Sequence, residues 1–117
     1  MSQYDPEVVE SIPVVIAAAG SLSAGVNLRG KRCVAVQMPA AWTSAVLTFQ
    51  ASADGVTYSN VYTYGVEYTE TVVASGWHEI DPNILAGAAF IKIRSGTAAT
   101  PVAQAAERTI RAISREV

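Results

Sequence analysis

Short apolar segments separated by turn signals run along most of the chain, and several of them alternate with a period of two. The clearest is residues 45–52, which read AVLTFQAS, with Leu47 and Phe49 on one face and Thr48 and Gln50 on the other. Successive side chains of a β-strand point to opposite faces, so this order predicts a strand with one face buried.

Two turns near the middle of the chain predict hairpins. Asp54 and Gly55 follow the alternating strand, and Gly55 tolerates the positive φ that a tight hairpin turn requires. Residues 56–64 and 66–74 flank Gly65 and predict a second hairpin. The middle of the sequence is therefore expected to consist of antiparallel strands with tight connections.

Further strands are predicted on both sides of these hairpins. Ile91 and Ile93 are expected to face inward from their strand, while Lys92 and Arg94 face outward. Residues 103–111 contain good helix formers, but the β-branched residues in and after this segment make a strand the preferred interpretation. The predicted segments are residues 12–18, 22–28, 32–38, 77–80, 90–95 and 106–114.

The segment at residues 32–38 also alternates and is predicted to form a strand. Its period of two places Val34, Val36 and Met38 on one side. Pro39 ends it, because proline has no N–H to donate to a neighbouring strand.

A single short helical turn is predicted at residues 82–86. Asp81 has the side chain of a helix cap, Pro82 suits the first helical position, and Gly87 suits the stop. With this turn and no long helix, the chain has eight or nine strands at a spacing of about 8–12 residues. This pattern predicts an all-β protein that folds as an antiparallel β-sandwich or barrel.

The chain is expected to hold one domain preceded by a short arm. Residues 1–11 are polar and acidic, and we interpret them as an N-terminal arm, while residues 12–117 form the single β-sandwich domain. No basic leader is seen, and the longest early apolar run is too short to cross a bilayer. We therefore expect no cleaved signal and no membrane contact.

Composition bears on the partners of this domain. Half of the 117 residues are apolar and 15% are charged, against roughly a quarter in average soluble domains, so part of the surface is expected to be covered by partner subunits. The formal net charge of −2 argues against nucleic-acid binding, which requires clustered cations. Cys33 is the sole cysteine and is interpreted as a small buried hydrophobe, since no intrachain disulfide can form.

The residue types that commonly act in catalysis do not form a recognisable catalytic motif in this sequence. His78 is the sole histidine, and no Ser or Cys stands beside it in a nucleophile motif. One His and one Cys do not suffice for a zinc site, and Glu67 and Glu70 fall on opposite faces of a regular strand. We predict no catalytic residue, no metal and no cofactor, and hence a protein that is not an enzyme.

Tyrosines form the one constellation that suggests binding. Tyr58, Tyr62 and Tyr64 have the same parity within one predicted strand, and Tyr68 lies in the next. A row of tyrosines on a sheet is compatible with the rim of the domain's own core, with a protein interface where tyrosine is enriched, or with a platform on which sugar rings stack. All three interpretations remain open from the sequence.

Several short motifs in one order resemble those of small structural proteins from tailed bacteriophages. They span residues 12–115 and read P-x-x-W at 39–42, LTFQ-x-S-x-DG at 47–55, K-I-R-S-G-T at 92–97, P-V-x-Q at 101–104 and R at 108. Related phage proteins include capsid cement or decoration proteins with jelly-roll or galactose-binding-like sandwiches, and others belong to tails or fibres. The resemblance therefore implies a virion component.

This resemblance leads to a specific functional expectation. The chain would be synthesised in the cytoplasm of a host bacterium and would bind the outside of the phage capsid as a homodimer or other symmetric oligomer, with the major capsid protein and itself as partners. The alternative is a carbohydrate-binding or receptor-binding module of a tail or fibre. The interface candidates are Tyr4, Asp5, Trp42, Tyr58, Tyr62 and Tyr64.

Overall fold

Residues 9–116 are described by a computed structural model of the chain, and they form an all-β structure. Every strand pairs with its neighbours in the antiparallel sense, and the described residues contain no helix. The predicted antiparallel β-sandwich is confirmed. The strands are β1 (Glu10–Ile16), β2 (Val26–Asn27), β3 (Arg32–Gln37), β4 (Leu47–Ser52), β5 (Ser59–Asn60), β6 (Tyr62–Thr63), β7 (Val66–Glu67), β8 (Trp77–Glu79), β9 (Phe90–Ser95) and β10 (Arg108–Arg115).

Two four-stranded sheets carry the fold, and the chain passes repeatedly from one to the other. Sheet I has the order β1-β10-β3-β8, and sheet II has the order β2-β9-β4-β5. Strands β6 and β7 form a separate two-stranded hairpin. The longer strands pair with partners that are distant along the chain, as in β1 with β10 and β4 with β9, whereas β5 pairs with its neighbour in sequence, β4.

The core lies between the two sheets and is built from the apolar positions that alternation predicts. Phe49 in β4 and Ile93 in β9 are fully buried from sheet II, and Val36 in β3 and Ile110 in β10 are fully buried from sheet I. Burying an aliphatic or aromatic side chain of this size contributes about 1.5–3 kcal/mol. The hydrophobic layer between the sheets is therefore the main source of stability.

The edge of sheet II beside β4 is interrupted by the β6–β7 hairpin. Residues 59–61 run antiparallel to the second half of β4, and Glu70 pairs with Leu47 at its start. Between these two contacts the chain leaves the edge and makes the hairpin, with Tyr62 opposite Glu67. The hairpin is thus an insertion within one edge strand, and its Glu67 reaches Arg94 of sheet II.

A β-bulge overturns one predicted detail of β3. Ile113 pairs with Ala35 and Ser114 with Cys33, so Val34 is an extra residue without an opposite partner. A bulge of this kind changes which residues share a face. Val34 and Val36 therefore do not lie on one side of the strand as predicted, and Cys33 lies in the core with Val36.

The structure corrects the predicted helical turn and decides between helix and strand for the C-terminal segment. Residues 82–86 form hydrogen-bonded turns and no helix: the Ile84 N–H donates to the Asp81 carbonyl at 3.0 Å, but no helical run follows. Asp81 does cap this turn, because its Oδ1 accepts the Asn83 N–H at 2.9 Å. Residues 108–115 form strand β10, which confirms the strand interpretation over the helical one.

Candidate interaction surfaces

The outer face of sheet II is polar and is covered by the chain itself. Arg94 lies on this face, as predicted, but its residue is 7% exposed. Its guanidinium donates to Asn60 Oδ1 at 2.9 Å and to Thr48 Oγ1 at 3.3 Å, and it pairs with Glu67 Oε2 at 3.3 Å. These four residues, which we call the Arg94 cluster, anchor the β6–β7 hairpin to the sheet.

Two further contacts close this face. The Glu67 carboxylate also accepts the Ala98 N–H at 3.2 Å, which attaches the loop after β9 to the same hairpin. Farther along, Lys92 Nζ lies 4.4 Å from the centre of the Tyr58 ring, and the ring lies so close to Gly25 that a side chain there would collide with it. Tyr58 is therefore used largely within the domain.

The outer face of sheet I is different, because it carries apolar side chains that residues 9–116 leave uncovered. Trp77 is 53% exposed and Val9 is 44% exposed. Directly opposite residues of antiparallel strands share a face, and Trp77 lies opposite Gln37, which alternates with the buried Val36. Trp77 therefore points away from the core. We call the shallow depression of about 350 Å³ on this face the sheet I groove, and it is lined by Val9, Val34, Trp77, Glu79, Ile113 and Arg115.

The sheet I groove has a fixed shape and a polar rim. Ile113 is 4% exposed and forms its floor. The Trp77 indole N–H donates to Glu79 Oε2 at 2.6 Å, which holds the ring in place. Sequence reasoning missed this surface, because it interpreted Trp77 only as part of a short strand. The signal was the parity of Trp77 relative to the buried positions, together with the low content of charged residues.

The tip of the β6–β7 hairpin exposes two aromatic rings and one aliphatic side chain. Tyr64 is fully exposed, and Tyr62 and Val66 are exposed by more than half. Tyr64 and Gly65 form the two-residue turn, with φ of 54° and 78°. Both values are positive, as in a type I′ turn, where Asn and Gly are favoured. Gly65 suits this position, whereas Tyr64 adopts it at a cost of about 1–2 kcal/mol.

Tyr62 and Tyr64 border a second depression, between the hairpin and the turn that follows β8. It has a volume of about 520 Å³, within the range of small-molecule clefts. Tyr68 closes one side: its ring stacks on Phe49 at 5.7 Å between centroids, and its hydroxyl donates to Glu70. We call this depression the tyrosine groove, and it is lined by Tyr62, Thr63, Tyr64, Tyr68, Asp81, Asn83 and Ile84.

Burial is the main reason that the pKa of Tyr68 lies above its ordinary value. The hydrogen bond to Glu70 and the negative charge of that carboxylate raise it further. The phenol therefore stays protonated, and its hydroxyl is already committed to Glu70. Tyr68 contributes an apolar wall to the groove and leaves the polar contacts to its neighbours.

The predicted single row of tyrosines does not exist. Tyr58 precedes β5, Tyr62 lies in β6 and Tyr64 lies in a turn, because the hairpin insertion breaks the one long strand that was expected. The structure instead brings Tyr62 and Tyr64 together with Tyr68 in the tyrosine groove and places Tyr58 beside Lys92. Long-range pairing, and not parity along the chain, decides which rings meet.

The remaining interface candidates have different positions. Trp42 is half-buried against the core, and its indole N–H donates to the Ala45 carbonyl at 3.2 Å. Its loop is fixed by the buried Gln104 side chain, which accepts from and donates to the backbone of Thr43 at 2.9 Å in each case. Tyr4 and Asp5 lie outside the described residues.

The residues considered for chemistry serve local structural contacts. His78 Nε2 accepts the Val73 N–H at 3.1 Å. Burial raises the pKa of the Cys33 thiol to about 11, and a hydrogen bond with the backbone of Ala35 partly offsets this rise. Within residues 9–116, no group of three His, Cys, Asp or Glu side chains is placed to hold a metal ion. The described part of the chain also has no helix of the length and apolarity needed to span a membrane.

Comparison with known proteins adds no relative to this description. No protein-family model, curated protein or solved structure matches the chain. The two grooves therefore have to be interpreted from their own geometry.

Proposed function

We propose that this chain is a structural protein of a bacteriophage virion, a cement protein that binds the assembled head and stabilises its shell. In this proposal it is a non-enzymatic jelly-roll, made in the host cytoplasm, that acts as a homodimer or other symmetric oligomer on the major capsid protein. The resemblance of its motifs to those of small phage structural proteins supports the role. The β-sandwich supports it only at the level of fold.

The observation that carries the proposal is the sheet I groove. Aromatic side chains in the centre of an interface, Trp above all, supply a large share of binding energy when a partner excludes water from them. Trp77 is held by Glu79 over the nearly buried Ile113, so little side-chain freedom is lost on binding. The groove therefore has the composition of an interface centre with a polar rim.

Stabilisation of the shell would follow from mass action. A protein that binds the assembled lattice and not free subunits shifts the equilibrium toward assembly, without any bond being made or broken. Many weak contacts of this kind add up when each particle offers many equivalent sites. A small domain with one apolar face that its described residues leave uncovered is suited to this task.

Mass spectrometry of purified particles tests the proposal. We expect the protein at a fixed, high ratio to the major capsid protein, and we expect added protein to bind particles that lack it. Trp77→Ser should lower this binding at least about tenfold, because it removes the central ring of the groove. Val56→Ser is the matched control, since Val56 is also an exposed apolar residue but lies in the loop after β4.

Two results would contradict the proposal. A copy number of only a few per particle would place the protein in a tail or fibre. Equal loss of binding in Trp77→Ser and Val56→Ser would show that the sheet I groove is not the contact surface.

A further inference from the structure

We propose that the tyrosine groove is a binding site for a neutral sugar, and that it operates independently of the sheet I groove. The two depressions share none of their lining residues. The proposal rests on the strained placement of an exposed ring, on free polar atoms beside it and on the rigidity of both walls. It does not depend on the proposed capsid role.

Tyr64 has an unfavourable backbone conformation that its contacts within the fold do not explain. Its φ of 54° is one that Asn or Gly adopts more easily, and its ring is fully exposed. The ring thus gains no packing within residues 9–116 to offset the strain. Positions that break a local rule without a structural gain are expected at functional sites. Tyr64 is therefore explained best by a ligand that its ring contacts.

The rings of Tyr62 and Tyr64 suit the apolar face of a pyranose. The face of an aromatic ring carries partial negative charge, which attracts the weakly positive C–H groups of a sugar. Both rings border the same groove, and their hydroxyls have no hydrogen-bond partner in the described residues. Each tyrosine therefore offers an apolar face and a free polar group to one ligand.

Asp81 and Asn83 supply the complementary polar contacts on the opposite wall. Asp81 uses Oδ1 to accept the Asn83 N–H at 2.9 Å, and Asn83 Oδ1 accepts from Arg32 at 3.4 Å. Within residues 9–116 this leaves Asp81 Oδ2 as a free acceptor and Asn83 Nδ2 as a free donor. A sugar hydroxyl both donates and accepts, so an acceptor beside a donor fits adjacent hydroxyls.

Both walls are held in place before any ligand arrives. The hairpin wall is anchored by the pair between Arg94 and Glu67 at 3.3 Å. The opposite wall is a turn closed by the side chain of Asp81, and the packing of Ile84 against the core fixes it further. A groove with rigid walls loses little entropy on binding.

The charge of the groove favours a neutral ligand over an anion. Asp81 is the one charged residue among those that line it, and its carboxylate would repel a phosphate or a carboxylate. Arg32 lies behind this lining and already donates to Asn83. The sugar is therefore expected to carry hydroxyl or N-acetyl groups and no acid.

Saturation-transfer NMR on the full chain tests the site with defined probes. Maltose, lactose and N,N′-diacetylchitobiose serve as neutral probes, and sialyllactose serves as the anionic comparison. We expect at least one neutral probe to bind in the millimolar range and sialyllactose to bind more weakly than lactose. Tyr64→Asn, which relieves the turn while removing the ring, and Asp81→Asn should each weaken binding about tenfold.

Val66→Ala is the matched control, because Val66 is exposed on the same hairpin but does not line the groove. Unchanged sugar binding in this variant, with loss in Tyr64→Asn, supports the proposal. It is overturned if none of the three neutral sugars binds, or if binding survives in both Tyr64→Asn and Asp81→Asn. Loss of particle binding in Tyr64→Asn without any sugar signal would also overturn it, in favour of a protein contact.

Discussion

The outer faces of the two sheets differ in how far the described residues cover them. Sheet II covers its outer face with the β6–β7 hairpin and satisfies Arg94 there by hydrogen bonds and an ion pair. Sheet I leaves Trp77 and Val9 half-exposed on its outer face. A face that is polar and internally satisfied has little left to offer a partner, whereas an uncovered apolar face gains from being covered.

The difference follows from one insertion in the chain. The edge strand beside β4 leaves the sheet after Val61 and returns before Glu70, which gives sheet II a hairpin long enough to fold over its own face. Strand β8, at the edge of sheet I, has three residues and no such insertion. Among residues 9–116, one side of the sandwich is therefore built for internal cohesion and the other is left open for contact.

The largest expected effect is on the reactivity of Cys33. It tests whether sheet I, whose outer face is uncovered, also opens more readily to solvent. Cys33 lies on the core side of sheet I, beside the Val34 bulge. Because burial raises its pKa to about 11, it should react with iodoacetamide about a thousandfold or more slowly in the native protein than in urea. Mass spectrometry of alkylation over time at about pH 8 measures this ratio.

Rapid alkylation of the native protein would break the comparison. It would show that sheet I opens readily and that its exposed residues reflect weak packing.

The next effect tests the internal cohesion of sheet II with the same substitution on each outer face. Arg94→Ala leaves Glu67 without its ion-pair partner, so we expect the free energy of unfolding to fall by about 3 kcal/mol. Arg111→Ala, at an exposed position on the outer face of sheet I, should cost less than about 0.5 kcal/mol. Urea unfolding of the three proteins gives both differences.

Similar losses in the two variants would show that the Arg94 cluster does not anchor the hairpin. In that case the covered and uncovered faces would differ in composition but not in cohesion.

A smaller effect of opposite sign is expected at the tip of the hairpin. Tyr64→Asn should raise the free energy of unfolding by about 0.5–1 kcal/mol, because Asn adopts the positive φ of this turn more easily. Thermal unfolding measures the change, and Tyr62→Asn in β6, where no positive φ is required, is the control. A destabilised Tyr64→Asn would mean that the ring supports the fold, and the argument for a ligand at this residue would fail.

The smallest expected effect is on the pH dependence of stability. It tests how much the exposed hydrogen bonds in the loop after β4 stabilise the fold, in comparison with the buried hydrogen bonds of the Arg94 cluster. The Asp54 carboxylate accepts from the N–H groups of Thr57 and Val56 and from the Ser52 hydroxyl, and these bonds hold the pKa of Asp54 below its ordinary value. The pKa of Asp54 is therefore lower in the folded state than in the unfolded state. This contribution is therefore complete above about pH 4 and is lost as the pH falls through the lowered value.

In Asp54→Asn, the free energy of unfolding should therefore fall less steeply as the pH is lowered below about 4. Its slope near neutral pH should stay unchanged. Urea unfolding across the acid range measures this slope. An unchanged acid limb would show that these exposed bonds do not contribute to stability.

Local pattern was a sound guide wherever the chain alternates regularly. Strands β4 and β9 follow their predicted faces, and the Thr63–Val66 turn falls at Gly65 as expected. Pattern failed at Val34, where a bulge that has no local signature changes the face. It also failed at residues 82–86, where the capping residue is right but the turn does not continue as a helix.

The candidate surfaces were less accessible to sequence reasoning than the fold. Tyr62 and Tyr64 were identified as binding candidates, but their partners in the groove, Asp81 and Asn83, come from a turn almost twenty residues away. Trp77 was not identified, because the exposure of a residue in a short strand depends on what packs over it. Both outcomes reflect contacts between segments that are distant along the chain.

By itself, the sequence determined the class of structure: alternation with a period of two and well-placed turn residues are local properties, and they suffice to produce antiparallel strands around one apolar layer. The tertiary structure alone decided which outer face is covered. That choice depends on an inserted hairpin reaching across sheet II so that Glu67 meets Arg94, two residues separated by 27 positions. Such a contact joins two segments that are distant along the chain, and so no window of neighbouring residues encodes it.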